Sequence, residues 1–445
     1  MAGRLRHLPL IAVLVWLQAA QGAAASPPVP LPNPDSPAFT PVVGPPGPTV
    51  RAVGPTSDSC QRMRKQVRTG NSRPGLMVRD LATGKRICSL NPKATRSLAS
   101  NTKLFTTSTA FGRLGKEHRM RTRLLADAPI GSDGVLDGNL FLKGGGDPSL
   151  GVESFLGVYF GGGGTDIADL AIKARKAGLK EVTGRLYADE SVFDSLRGVA
   201  DSGFATSPYI GPLSGLSINT GYTSSKLSSF SGNPARLAAR SLVRELRGRS
   251  VAIRPEIALR KAPRSIRSRV VAELKSPGTF WMSRITNVYS NNFFAEMMLK
   301  AIGAHVSGKG STSGGADVVR AYSASLGSKV SPVDGSGLTV SNRSTAEEVV
   351  DLLSGIRRKP WYGSFRASLP LAGREGTVAG RMRGSTAEGR CRLKTGTLTG
   401  VSALSGYCRT RSGRQLAVSV LMNGVSDTYA ARAAQDRIAA IAAGP

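Results

Sequence analysis

Apolar and polar positions along this chain change period several times, and those changes mark out its elements. Residues 58–69 read as a short basic helix. The run Gly75-Leu76-Met77-Val78-Arg79-Asp80, the turn Thr83-Gly84 and Arg86-Ile87-Cys88-Ser89-Leu90 form a hairpin pattern. After Ser100 the period becomes helical: Leu104, Ala110, Phe111 and Leu114 make an apolar stripe, and Gly112 and Gly115 supply stop signals. From about residue 119 short alternating segments, such as Arg123-Leu124-Leu125 and Leu140-Phe141-Leu142, lie between Gly/Asp turns. Gly161 to Gly164 reads as a flexible joint, followed by a helix over 166–177 and a strand over 181–188; the chain then stays rich in strands and loops to about 274.

The helical period returns over 279–288 and 293–301, on either side of Tyr289-Ser290-Asn291-Asn292, and again over 345–353. Strands are expected over 390–397 and 401–408, with a turn near Thr399-Gly400, and over 415–422. Ser426/Asp427 caps a closing helix with Ala430, Ala434, Ile438 and Ile441 on one face. These elements divide the chain into a first region, 58–119 and 275–445, interrupted by an inserted strand-rich domain over 120–274.

The ends and the composition fix the setting. Arg4, Arg6 and His7 precede an apolar run over 8–17, and Ala23-Ala24-Ala25 offers a cleavage site, so residues 1–25 read as an export signal. The apolar run is too short to span a membrane comfortably, and no transmembrane anchor is expected elsewhere. Residues 26–57 are proline-rich and read as an extended linker. The 445 residues carry 60 Lys+Arg against 29 Asp+Glu, a formal charge of +31. Such an excess points to an anionic environment, and its even spread favours acidic cell-wall polymers over nucleic acid.

Four cysteines in an exported chain imply two disulfides. Cys60–Cys88 ties the first helix to the hairpin, and Cys391 and Cys408 stand about equally far from the tip of theirs, as a cross-strand disulfide needs. Metal binding is disfavoured: there is no Cys-x-x-Cys, and beyond the export signal the chain holds only His118 and His305. The same scarcity argues against a Ser-His-Asp triad.

The candidate chemistry begins at Ser100-Asn101-Thr102-Lys103, the one Ser-x-x-Lys in the chain. On a helix, Lys103 sits one turn above Ser100, and a desolvated neutral amine there can take the hydroxyl proton. The helix N-terminus offers backbone N–H groups where an oxyanion would form. Ser290-Asn291-Asn292 follows between two helices, and Lys394-Thr395-Gly396, with Thr397 after it, lies on an expected edge strand where Gly396 lets a substrate backbone approach. Lys394 can meet a terminal carboxylate and, by like-charge repulsion, depress the pKa of Lys103.

Three such motifs in this order resemble the penicillin-recognising serine enzymes. The wide gap between Ser100 and Ser290 makes the chain similar to their class C low-molecular-mass penicillin-binding proteins, the D-Ala-D-Ala carboxypeptidase/endopeptidases. Further matches are Gly145-Gly146-Asp147-Pro148, Val182-Thr183-Gly184-Arg185-Leu186, Leu216-Ser217-Ile218-Asn219 and Asp334-Gly335-Ser336-Gly337-Leu338. The resemblance implies an α/β (α+β) fold: a β-lactamase/transpeptidase-like domain whose antiparallel sheet is flanked by helices, interrupted by the insertion. It implies acylation of Ser100 with Lys103 as base and a proton relayed through Ser290 to the leaving D-alanine. Asn292 would hold the substrate amide, Lys394 and Thr395 the terminal carboxylate, and the N–H groups of Ser100 and Thr397 the oxyanion. No cofactor or metal is implied; the partners are peptidoglycan stem peptides ending in D-Ala-D-Ala, and β-lactam inhibitors.

Two positions depart from the pattern. Asn291 stands where relatives often have Asp, and Val340 follows Gly337-Leu338-Thr339 where an Arg holding the peptide side chain is expected. A β-lactamase is one alternative, but it needs a deacylating base, and Glu347 and Glu348 read as helical. A catalytically inactive wall-binding homologue is the other; Val340 speaks for it, and the intact Ser100, Lys103, Ser290 and Lys394 speak against it.

Overall fold

The structure is a computed structural model that describes residues 57–68 and 72–444; the expected export signal and residues 26–56 of the linker lie outside the described residues. Its centre is a five-stranded antiparallel sheet with the spatial order Cys391–Leu398, Val401–Arg409, Gln415–Asn423, Arg73–Asp80, Arg86–Leu90. The strands Val401–Arg409 and Gln415–Asn423 are buried at nearly every position. A strand that is apolar on both faces has to be covered on both, and this sheet is. Leu416, Val418, Val420 and Met422 pack with Ile438, Ala439 and Ala442 of the closing helix Thr428–Ala443 and with Met63 and Val67 of the helix Ser57–Val67. Ala417 and Leu421 pack from the other side with Leu352, Leu353 and Ile356 of the helix Ala346–Arg357 and with Leu104 and Phe105.

The expected elements of this region are present, with some shifted faces. The register pairs Cys391 with Cys408 across the hairpin, and both disulfides, Cys60–Cys88 and Cys391–Cys408, are formed. Asp427 caps the closing helix by accepting from Ala430 N, yet the buried face runs through Ala431, Ala434, Gln435, Ile438 and Ala442, one position beyond the expected Ala430. The helix after Ser100, Thr102–Arg113, has no single apolar stripe: every residue from Thr102 to Phe111 is buried. Its hydroxyls are satisfied internally, Thr107 Oγ1 donating to Lys103 O and Thr109 Oγ1 to Phe105 O, or by neighbours, Thr106 Oγ1 donating to Gly335 O. A hydroxyl-rich sequence can thus occupy the middle of the molecule.

The stretch from 121 to 275 is strand-rich as expected and contains the helix expected over 166–177, but it holds two further helices. Its main sheet has the order Ile257–Leu259, Leu186–Asp189, Leu140–Lys143, Arg121–Ala126, Val270–Lys275, with the first three strands parallel. The helices Glu153–Phe160, Ala168–Lys176 and Pro234–Arg247 stand among these strands. The strand expected over 181–188 is two, Glu181–Val182 in a small parallel sheet and Leu186–Asp189 in the main one, parted at Thr183-Gly184.

A helix Thr312–Ser325, absent from the sequence reading, packs on the helix Asn292–Ser307. Gly314 and Gly315 hid it, because glycine weakens a helical pattern. A Cβ on Gly315 would lie 2.1 Å from Leu299 O, so the glycine is what lets the two helices touch. The fully buried Lys300 of the neighbouring helix donates to Asp194 Oδ1 (2.5 Å) and Leu196 O (2.9 Å), holding the 190s segment against the central region.

The Cys391–Cys408 bridge closes a loop of 17 residues at the foot of the edge strand. Replacing both cysteines by serine should lower unfolding stability by about 3 kcal/mol, the loop-entropy value for that size. Denaturant unfolding of wild type and double variant under oxidising conditions measures it; equal midpoints would show that the hairpin register holds without the bridge.

Candidate active site

The three motifs meet where the helix Thr102–Arg113, the helix Asn292–Ser307 and the edge strand Cys391–Leu398 converge. Ser100 lies in a 3-10 turn, Ala99–Asn101, that runs directly into the first of these helices. One turn on, Lys103 points back and donates from Nζ to Ser100 Oγ at 2.9 Å. Ser290 sits in the tight connection between the helices Thr279–Val288 and Asn292–Ser307, with φ +56°, a left-handed backbone that a non-glycine residue rarely adopts outside functional turns. Its hydroxyl accepts from Lys394 Nζ at 2.9 Å. Asn292 presents Oδ1 to Lys103 Nζ (2.7 Å) and donates from Nδ2 to Tyr209 O (3.0 Å). Asn291 caps the helix by accepting from Phe294 N and donates to Tyr159 Oη, so this departure keeps the capping an Asp would supply.

Lys394 is fully buried on the edge strand and donates also to Thr395 O at 2.8 Å. Thr395 Oγ1 donates to Thr377 Oγ1, and the exposed Thr397 Oγ1 accepts from Arg432 Nη2 at 3.3 Å. Gly396 plays a part other than the one expected of it. A Cβ there would lie 2.9 Å from Leu98 O and 3.0 Å from Ser100 N, so the glycine lets the strand press on the serine turn. The strand has one neighbour in the sheet, and its other edge faces the serine, where an extended peptide can add itself.

Electrostatics decide what Lys103 can do. Its ammonium has three protons and finds three acceptors: Ser100 Oγ, Asn292 Oδ1 and, at 2.6 Å, Ser336 O. Burial pulls its pKa down from 10.5 to about 7, while Asp334 and Glu296 pull it back up. The depression expected from Lys394 is therefore supplied by burial. Like-charge repulsion shows instead on Lys394, held well below the usual lysine range first by burial and then by Lys103.

Glu296 was not among the residues read from sequence. It stands one turn beyond Asn292, fully buried, and accepts from Gly335 N and Ser336 N at 2.8–3.0 Å; burial and then Asp334 raise its pKa to about 7. Asp334 accepts from Gly337 N, Thr339 N and Asn342 Nδ2, and burial raises it too. The two carboxylates shape the 334–342 loop so that its Ser336 carbonyl meets Lys103. The signal available beforehand was an acidic residue inside the otherwise apolar run Phe293-Phe294-Ala295-Glu296-Met297-Met298-Leu299. Val340, where Arg was expected, is 49% exposed. Glu347 and Glu348 do lie in a helix, and the Glu348 carboxylate accepts from Lys329 N. Among the described residues no group of three His, Cys, Asp or Glu could hold a metal ion.

An amine that loses its proton near pH 7 beside a half-buried hydroxyl makes a base–nucleophile pair. The rate at which an acylating probe labels Ser100 should rise as pH passes through about 7 and level off above it, over a scan from about pH 5.5 to 8.5. A flat profile would place the base elsewhere. The stability sign is opposite to that of a salt-bridged lysine: the unfolded chain keeps the proton up to pH 10.5, so the cost of burying Lys103 is greatest below about pH 7 and fades as pH rises to 10.5.

The chain is similar to known proteins in sequence and in fold. The D-Ala-D-Ala carboxypeptidase 3 (S13) family matches residues 60–234 and 225–444. A D-alanyl-D-alanine carboxypeptidase from Actinomadura sp. (strain R39) is 32% identical over 445 residues, covering 82% of this chain and 80% of its own. Carboxypeptidase DacB from Mycolicibacterium smegmatis is 29% identical over 94% of this chain and 90% of its own. In fold, penicillin-binding protein 4 from Haemophilus influenzae is similar with a TM-score of 0.70 at 19% identity, covering 86% of this chain and 97% of that one. On sequence over most of its length, the chain belongs to the D-Ala-D-Ala carboxypeptidase 3 (S13) family.

Proposed function

We propose that this chain is a serine-type D-alanyl-D-alanine carboxypeptidase that works through an acyl-enzyme on Ser100. The observation that carries the assignment of roles is the buried Lys103 amine, 2.9 Å from Ser100 Oγ and titrating near neutrality. In its neutral form Lys103 takes the hydroxyl proton as Ser100 Oγ attacks the carbonyl between the two D-alanines. The charge that develops on that oxygen falls to the backbone N–H groups of Ser100 and Thr397. Ser290, bonded to Lys394, passes a proton to the nitrogen of the departing D-alanine, and the bond to it breaks. Water then hydrolyses the ester, returning the serine proton. Asn292 divides its amide between Lys103 and Tyr209 O, which places it to turn toward a substrate amide when a peptide enters. Lys394, Thr395 and Gly396 lie along the edge where the terminal carboxylate would bind, and the same site accepts β-lactams as acylating mimics.

The substrate is the peptidoglycan stem peptide; cleavage of cross-links by the same acyl transfer is the endopeptidase form of this reaction. A β-lactamase is less well supported, since Glu296 and Asp334, the carboxylates nearest the centre, are committed to backbone N–H groups behind Lys103. Two disulfides and the +31 charge favour an exported protein near an anionic wall, and among the described residues no helix is long and apolar enough to cross a membrane. The stretch 120–274 serves in this reading as an insertion between the two halves of the catalytic region.

The test is direct. Incubation of the purified protein with benzylpenicillin should add one penicilloyl group, located by mass spectrometry on the peptide that contains Ser100. An adduct on another serine, or none on folded protein, rules out the mechanism.

Lys394 allows a finer prediction. Entry of a carboxylate would raise its depressed pKa and make a buried charge-assisted pair. Lys394→Ala should lower kcat/KM by about 30- to 1000-fold and greatly reduce discrimination between the free acid and its amide. If the variant keeps its preference for the free acid, the carboxylate binds elsewhere.

A further inference from the structure

The helix Pro234–Arg247 carries a feature that catalysis at Ser100 does not use. Asn233 caps it and Pro234 starts it, and its inner face, with Ala235, Ala238, Ala239, Leu242 and Leu246, belongs to the core of the 121–275 region. Its exposed positions are Arg236, Arg240, Arg244 and Arg247, arginine in every case. They recur at intervals of four, four and three residues, a single ladder with a rung about every 6 Å. Solvent faces of helices normally mix signs, because like charges one turn apart weaken the helix. Here Arg236 and Arg240 have no carboxylate within ion-pair distance among the described residues, and Glu245 is turned to Arg249 at 2.7 Å, with Arg244 a distant 3.8 Å away. Among the described residues, Glu245 alone forms an ion pair with the ladder, and it is shared with Arg249.

The ladder borders a cavity of about 350 Å3 lined by Arg240, Val243, Arg244, Arg247, Pro255 and Ile257. Arg247 is held at its base by donating from Nε and Nη2 to Ile253 O, at 3.1 and 2.8 Å. The chain beyond adds the exposed Arg254, Arg260 and Lys261, while its acid, Glu256, pairs with Arg185. We propose that this groove binds a linear phosphodiester polymer, a proposal that rests on the reading of the protein as one working at an anionic wall. Guanidinium forks engage phosphate oxygens in pairs, which the ammonium of lysine does not. A ladder of evenly spaced forks suits a polymer with a phosphate at each short repeat better than a single small anion. The apolar floor of Val243, Pro255 and Ile257 accommodates the uncharged carbons between phosphates.

The experiment compares the full exported chain with two variants of equal charge. One carries Arg236→Gln, Arg240→Gln and Arg244→Gln; the control carries Arg358→Gln, Arg409→Gln and Arg411→Gln, at exposed positions elsewhere. Equal rates of Ser100 acylation establish that both are folded. Binding is measured to poly(glycerol phosphate), to poly-glutamate of matching charge and to isolated cell walls over a range of salt. The ladder variant should bind poly(glycerol phosphate) about 30-fold more weakly, with the slope of log K against log salt reduced by about 2, while the control changes by less than about threefold. Equal losses in both variants would overturn the ladder and leave the wall reading intact, with the charge acting diffusely. Equal binding of poly-glutamate, equally lost in the ladder variant, would overturn the phosphodiester assignment. Failure of the wild type to bind walls even at low salt would overturn the wall reading itself.

Discussion

The active centre depends on keeping one amine, that of Lys103, dry and fully hydrogen-bonded. An ammonium removed from water with nothing to meet it costs several kcal/mol, and a carboxylate in direct contact would keep it protonated at neutral pH. The structure takes a middle course. Three neutral oxygens, from Ser100, Asn292 and Ser336, take the three protons, and the compensating charges of Glu296 and Asp334 stand one layer back. Those carboxylates act through the backbone of the 334–342 loop, whose carbonyl is what touches the amine. The result is an amine near pH 7, where a base for a hydroxyl is most useful.

That arrangement explains the stiffness of its surroundings. A hydrogen bond of 2.6–2.9 Å is lost to small displacements, so each acceptor rides on a buried element: the turn leading to Thr102–Arg113, the first turn of Asn292–Ser307, and a loop pinned by two buried carboxylates. The edge strand is fixed from both ends of the argument as well. Its partner strands are covered by helices on both faces, its foot carries a disulfide, and Gly396 lies against the serine turn itself. Catalytic precision here is a packing property before it is a chemical one.

How far the sequence could be read follows from the same physics. The motif residues were legible because each chemistry requires a particular residue type in a particular local setting, and hairpin symmetry was enough to pair Cys391 with Cys408. The central helix was read as half-buried because Thr and Ser count as polar in a pattern, although back-bonding makes them acceptable inside. The helix Pro234–Arg247 lies in a stretch that reads as strands and loops, although Asn233-Pro234 marks its start. The roles of Gly396 and Glu296 go further beyond local pattern, although an acid inside the apolar run 293–299 marks Glu296 as unusual. What each does depends on atoms nearly 300 and about 40 residues away in sequence, respectively, and only the fold brings those atoms near.

The 121–275 region is also tied directly to the site. Tyr209 O accepts from Asn292, Tyr159 Oη from Asn291, and Asp194 from the buried Lys300, so the cap, the first turn and the third turn of the Asn292–Ser307 helix are held by it. A shift of that region therefore moves the residue that shares Lys103 with Ser100. It also places the half-exposed Tyr209 beside Asn292. On the proposed reading, Val340 in place of a cation would leave the loop after Ser336 an apolar contact, not a charge, for a long substrate side chain. On that reading, discrimination among peptides would fall to groups of the 121–275 region such as Tyr209, while bond cleavage would stay with Ser100 and Lys103. Because Asn292 joins Tyr209 O to the Lys103 amine, a change in the 121–275 region also reaches the buried base.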